Sequence, residues 1–209
     1  MRRNKTFTGI LLISTISLMV FSGCSVQTPP ASSEQAAANQ SSLSEVQQPS
    51  ANSSLQSVGT FSTQDVYGND YTQEVFGDYD LTMVNIFTTW CTPCVEEMPD
   101  LEKLYQQMQN NGVGVVGVVL DVLDENGDVL QADLERAQTL VERTAVTYPI
   151  LLPDSSYMNG RLTGITGFPE TFFVDKDGNI VGETYSGSGD LDYWLSVVEK
   201  ELANLKGDA

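Results

Sequence analysis

Apolar and polar positions divide the 209-residue chain into three regimes. Arg2, Arg3 and Lys5 precede an apolar stretch from Ile10 to Phe21. The next segment, to about residue 59, has no apolar periodicity, and from Phe61 onward apolar positions recur at strand and helix spacing. In this last regime Leu81 to Phe87 and Val113 to Leu120 are near-continuous apolar runs, as in strands buried on both faces. Between them Val95, Met98, Leu101, Leu104, Tyr105 and Met108 fall at helical spacing, which makes a βαβ unit. Asp128 is placed to cap a second helix carrying Leu130, Leu134, Ala137, Leu140 and Val141. A short strand at Tyr148 to Leu152 and a small helix around Ser155 to Leu162 should follow. Thr171 to Val174 and Ile180 to Tyr185 then flank Asp175-Lys176-Asp177-Gly178-Asn179, a hairpin signature with glycine in the turn. The final helix follows Asp190, with Leu191, Trp194, Leu195, Val198, Leu202 and Leu205 along one stripe. Alternating strands and helices predict an α/β domain over residues 60–209, a central sheet flanked by helices.

The N-terminal regimes read differently. Basic residues, an apolar core and the small pair Ser22-Gly23 stand in the order of a secretory signal, and the apolar stretch is short for a transmembrane helix. Residues 25–59, rich in Ser, Gln, Ala and Asn with Pro29, Pro30 and Pro49, cannot bury enough surface to fold and are expected to be a disordered linker. Some 35 flexible residues would hold the domain on the order of 30 Å from its anchor.

Charge and composition remove several function classes. Ten basic against 28 acidic residues give a net charge of −18, and loss of Arg2, Arg3 and Lys5 with the signal leaves seven against 28, or −21. Such a field repels polyanions and argues against a nucleic-acid partner. The chain has no histidine, which excludes histidine acid/base catalysis, histidine haem ligation and the commonest metal ligand.

The chemistry concentrates in Trp90-Cys91-Thr92-Pro93-Cys94, directly after the first apolar run. If a helix starts at the first cysteine, residues three apart share a face, so Cys91 and Cys94 can close a small disulfide and reopen it. Cys91, at the helix N-terminus, is the expected exposed nucleophile, because unpaired N–H groups and the macrodipole favour its thiolate. Cys94, one turn inward, would resolve the mixed disulfide. A zinc site would need further cysteine or histidine ligands, and no second CxxC exists; no metal or other cofactor is expected beyond the redox-active disulfide. Pro93 is tolerated in the first turn and stiffens it, Thr92 completes the spacer, and Trp90 is expected to pack beside the motif and shield the disulfide. Pro99 should kink the helix. Asp121, Asp124, Glu125 and Asp128 surround Asn126-Gly127 without EF-hand spacing and read as a solvated turn.

The order of elements, the Trp-Cys-x-x-Cys motif at the first helix and Phe168-Pro169-Glu170-Thr171 before the penultimate strand resemble the thioredoxin fold. The branch is that of the extracytoplasmic ResA/TlpA-type thiol-disulfide oxidoreductases, over about Thr60 to Leu205. The resemblance implies that Asp128 to Leu152 is that branch's helix-strand insertion. It implies that Pro169 is the cis-proline opposite the cysteine pair, with Phe168 offering backbone groups to an extended substrate. Glu97-Met98-Pro99 reproduces the branch's glutamate and proline spacing, and the resemblance implies that Glu97 exchanges the proton of Cys94, with the adjacent Glu96 left open as the alternative. Asn85 stands where thioredoxins proper carry a buried aspartate, which leaves proton handling to Glu97. Ser22-Gly23-Cys24 resembles a lipobox, which implies a signal peptide over residues 1–24 and a lipid on Cys24 that anchors the protein outside the cell membrane; the odd third cysteine is then accounted for. The family further implies a monomer that receives electrons from a membrane thiol carrier of the CcdA/DsbD type. Its clients would be disulfides in exported proteins, such as apocytochrome c or methionine sulfoxide reductases. The same cysteines run in reverse would make a disulfide-installing oxidase, and used as ligands, a metal or haem chaperone. The Pro-x-x-x-Thr-x-x-Cys arrangement of peroxiredoxins is absent, with Phe87 four residues before Cys91.

Overall fold

The computed structural model describes residues 57–207; the signal stretch, Cys24 and nearly all of the linker lie outside the described residues. The described chain begins with strands β1 (Ser62–Gln64) and β2 (Asp70–Thr72), an antiparallel pair, then a 3-10 turn over Gln73–Phe76. It continues through β3 (Leu81–Phe87), α1 (Thr92–Met108), β4 (Val113–Val119), α2 (Gln131–Thr144), β5 (Ile150–Leu151), β6 (Glu170–Asp175), β7 (Ile180–Ser186) and α3 (Leu191–Gly207). The last five strands form one mixed sheet in the order β5-β4-β3-β6-β7. β3 runs parallel to β4, Leu81 opposite Val113 through Phe87 opposite Val119, and antiparallel to β6, where Asn85 faces Thr171.

Every residue of β3 and β4 is buried, which is why both read as near-continuous apolar runs, interrupted in β3 only by Thr82 and Asn85. Alternation then assigns the faces. Leu81, Met83, Phe87, Val113, Val115 and Val119 pack with Leu101 and Leu104 of α1, Ala137 and Val141 of α2, and Trp194 and Val198 of α3. Val84, Ile86, Val116 and Val118 point the other way, into a cluster with Phe61, Phe76, Phe172, Val174, Met158 and Leu162. The α/β order is the one the pattern predicts, and the thioredoxin-like arrangement, with α2 and β5 inserted after β4, is the one the resemblance implies. α1 runs through Pro99 without a break in its helical assignment.

Several local expectations are corrected. α2 is not capped by Asp128: Leu130 takes the cap position with no side-chain hydrogen bond. Asp128 is held in a turn in which its N–H, and that of Asn126, donate to Asp124 Oδ1 while Leu123 bridges Val129. Ser155 to Leu162 does not form a helix. The Asp154 carboxylate accepts the amides of Ser156 and Met158, and Tyr157, Met158 and Asn159 have φ of 52°, 50° and 56°, a left-handed run incompatible with a right-handed helix. The strand expected at Tyr148 to Leu152 is only Ile150–Leu151, because Pro149 has no N–H and Leu152 turns its own to Gln64. At the N-terminal side Val58 is fully buried and Ser57 bridges Asn179, so packing begins before residue 60. No described helix is long and apolar enough to cross a membrane.

Candidate active site

β3 ends at Phe87 and delivers a short turn whose last residue, Cys91, is the N-cap of α1. The Cys91 N–H donates to Thr88 O at 3.2 Å, and its Sγ accepts the Cys94 N–H at 3.3 Å, so the sulfur acts as the capping group. Pro93 sits in the first turn, where it displaces no intrahelical hydrogen bond. Cys91 and Cys94 are joined in a disulfide with Cα atoms 5.3 Å apart. The spacing thus closes as the helical geometry requires, and the dipole and free amides of α1 converge on the outer sulfur.

Exposure departs from the expectation in two places. Cys91 is 4% exposed and Cys94 fully buried, while Trp90 is 68% exposed. The Cys91 side chain caps the helix and packs into the buried cluster beneath it, while Thr92 and Pro93 are exposed. Trp90 does not bury itself over the disulfide; it projects outward and meets the Phe168 ring edge-on, centroids 5.9 Å apart.

Beneath the pair lies a buried polar network. Glu97, on α1 one turn beyond Cys94, is 3% exposed, whereas Glu96 faces solvent. Its Oε1 accepts Asn85 Nδ2 at 2.9 Å; its Oε2 accepts the Gly189 N–H and Trp194 Nε1, both at 3.1 Å. Asn85 Nδ2 also donates to Thr171 Oγ1 at 3.1 Å, across the register that pairs β3 with β6. α1, β3, α3 and the segment leading into α3 therefore meet on one carboxylate. Burial pushes the Glu97 carboxyl above its ordinary value, opposed by the hydrogen bonds from Asn85, Gly189 and Trp194, which favour the anion. All three partners are donors, so the ionised form is fully satisfied and the protonated form lacks an acceptor unless the Asn85 amide turns over.

The opposite wall is the loop into β6. The Phe168–Pro169 bond is cis. Pro169 O accepts the Gly187 N–H at 2.9 Å, and Arg161 fastens the start of β6 through Glu170 at 2.8 Å while lying 4.2 Å from the Phe172 ring centre. Phe168, half-buried, carries the aromatic contact to Trp90.

Sequence reading named Cys91, Cys94, Glu97, Asn85, Trp90, Phe168 and Pro169 and missed Gly189, Trp194, Thr171, Thr89 and Asp121. Trp194 was legible only as one of the apolar residues of a helix stripe, although a buried indole N–H needs an acceptor and so points to a polar partner. Asp121, read as part of a solvated turn, instead accepts both the N–H and the hydroxyl of Thr89. Among the described residues no three acidic or cysteine side chains converge as metal ligands. The hollow of about 370 Å³ lined by Asp80, Asp175 and Lys206 lies at the other end of β3 and β6 from the cysteines.

Comparison with known proteins places this geometry. The model of the AhpC/TSA family matches residues 55–182. The thiol:disulfide interchange protein DsbE of Haemophilus influenzae is 29% identical over 129 residues, 62% of this chain and 63% of that protein. The thiol-disulfide oxidoreductase ResA of Geobacillus thermodenitrificans is 30% identical over 97 residues, 46% of this chain and 49% of that protein. The chain thus spans about three fifths of the first relative's length and about half of the second's. In structure it is similar to a thioredoxin-family thiol:disulfide interchange protein from Chlorobium tepidum, with a TM-score of 0.57 at 23% identity over 70% of this chain and 96% of that one, a likeness of fold. Since the family model covers more than half of the residues, including both cysteines and the cis-proline, the chain belongs to the AhpC/TSA family.

Proposed function

We propose that this protein is a thiol-disulfide oxidoreductase that reduces disulfides of exported proteins outside the cytoplasm. The observation that carries the reading is the Cys91–Cys94 disulfide at the N-terminus of α1, one turn from the buried carboxylate of Glu97. In the reduced protein the Cys91 thiolate attacks a client disulfide. A Cys91–client bond forms, the client S–S bond breaks, and the departing client sulfur takes a proton. Cys94 then loses its proton and attacks Cys91 Sγ, which restores the internal disulfide and releases the second client sulfur as a thiol. The client gains two electrons and two protons; the pair gives up two electrons and the Cys94 proton, and solvent returns the proton that Cys91 released on forming its thiolate. Glu97, three residues beyond Cys94, is the base that takes the Cys94 proton in this scheme, and Glu96, in solvent, is not placed for it. The Trp90 and Phe168 rings with the backbone beside Pro169 offer an extended client an apolar shelf next to the sulfur.

The residues between the cysteines support the reducing direction. Strong oxidants stabilise their reduced thiolate, and Thr92-Pro93 brings no cationic group that would do so. This supports a reductant fed by a membrane thiol carrier of the CcdA/DsbD type, acting on clients such as apocytochrome c or methionine sulfoxide reductases. The interchange and oxidoreductase names of the relatives support the chemistry without choosing the client. Anchoring through a lipid on Cys24 completes the proposal, and Cys24→Ser should move the protein from the membrane to the soluble fraction; retention in the membrane would point to an uncleaved apolar stretch.

The equilibrium reduction potential of the Cys91/Cys94 pair, titrated against dithiothreitol and glutathione near pH 7, tests the reading. A value near or below roughly −270 mV supports a reductase, whereas one near about −120 mV makes the protein an oxidase of exported thiols.

A further inference from the structure

The residue two positions before Cys91 is gripped more tightly than a connecting turn requires. The Thr89 N–H donates to both carboxylate oxygens of Asp121, at 2.9 and 3.0 Å, and its hydroxyl donates to Asp121 Oδ2 at 2.6 Å. Having given its proton to Asp121, Thr89 Oγ1 can only accept, and Arg136 Nη1 donates into it at 3.2 Å. Arg136 belongs to the inserted helix α2 and is paired there with Asp133. Asp121 lies just past β4, where the Leu120 N–H already donates to Phe87 O at the end of β3. Three elements thus converge on one threonine that is 6% exposed.

We infer that Asp121, Thr89 and Arg136 form a positioning relay by which α2 and the end of β4 hold the turn entering Cys91 and govern the reactivity of its sulfur. Two facts take this beyond an ordinary turn contact. Thr89 and Cys91 are two positions apart, at most about 7 Å of chain, so the Asp121 charge is bonded to the same short turn that carries the sulfur. The relay is also electrically lopsided: a partly buried carboxylate on one side opposes the thiolate, and a guanidinium whose side chain is 51% exposed on the other offsets it only in part. The relay therefore holds the turn in place while restraining the thiolate, and α2, the inserted element, carries the compensating charge.

The inference rests on Cys91 being the attacking thiol, and the test separates the two. Reduced full-length protein is alkylated with iodoacetamide across a pH series, with the modified cysteine mapped by mass spectrometry. Asp121→Asn keeps the shape and removes the charge; the alkylation midpoint of Cys91 should fall by about half a pH unit, about threefold faster reaction below the midpoint. Arg136→Met should raise the midpoint, by less. Thr89→Val should alter the Cys91 profile and Thr89→Ser restore it. Glu96 and Glu97 on α1, the Arg161–Glu170 pair and Asp190 are the same in every variant, so opposite displacements report the relay, and a loss of stability alone cannot give them. Midpoints that stay put, or that move in the same direction for Asp121→Asn and Arg136→Met, overturn the relay. Alkylation that maps first to Cys94 in the wild type overturns instead the assignment of Cys91 on which it stands.

Discussion

Glu97 is the residue on which the proposed chemistry turns, because its environment sets two opposed demands. Three donors hold the anion, yet burial makes the anion costly, and the balance lies above the ordinary carboxyl value. Between the unfolded value of about 4.5 and the raised folded one, the folded protein holds more of the proton. The stability this group contributes is complete below that window and is lost as pH rises through it. Glu97→Gln removes the titration, so the difference in unfolding free energy between about pH 4.5 and pH 8 should shrink in urea titrations. An undiminished difference would show that Glu97 is not the group responsible. The amide is sterically acceptable, since Asn85 can turn its own oxygen toward the new donor while the Thr171 hydroxyl reverses. Disulfide exchange, by contrast, should slow by at least about tenfold and lose its dependence on this carboxyl; an unchanged pH-rate profile removes Glu97 from the mechanism.

Elements matter here through how closely they approach. The segment before α3 reaches Glu97 only because position 189 has no side chain: a Cβ there would stand 2.9 Å from Trp194 Nε1 and run into the Tyr193 ring. Gly189→Ala should therefore push the start of α3 away from α1. We expect a loss of about 1–3 kcal/mol in unfolding free energy, with a pH-rate profile displaced because Glu97 loses donors. A loss below about 0.5 kcal/mol would mean that Tyr193, 44% exposed, swings aside. The same scale explains which elements were readable beforehand. β3, β4, α1 and α3 carry long, periodic apolar patterns and form where those patterns lie. The segment around Ser155 to Leu162 has helical apolar spacing at Met158 and Leu162, but the Asp154 carboxylate captures its first amides and draws it into left-handed turns. A side chain competing for backbone N–H groups does not register in hydrophobic periodicity.

Across the whole molecule the dominant property is charge. With a net charge of −18, the protein should discriminate among clients before any contact is made. A disulfide peptide flanked by lysines should react about tenfold faster than one flanked by glutamates at about 10 mM salt, and the ratio should fall toward one by about 0.5 M as the screening length contracts. A ratio that ignores salt would place the discrimination in the Trp90 and Phe168 shelf instead.

The sequence by itself determined the α/β order, the buried central strands and the positions of Cys91 and Cys94, because each is a local property: apolar period selects helix or strand, and a three-residue spacing on a helix sets two sulfurs on one face. Glu97 and Asn85 were legible only through the resemblance, by their offsets from that motif, and Pro169 through the same resemblance, by its place before the penultimate strand. Tertiary structure alone decided that Glu97 and not Glu96 is buried, that Trp194 and Gly189 complete its shell, that Cys91 is covered while Trp90 is exposed, and that Asp121 reaches Thr89 across 32 positions. These depend on which strands pair and how α1, α2 and α3 pack on the sheet, and a hydrogen bond between residues far apart in the chain leaves no mark on the periodicity of either partner.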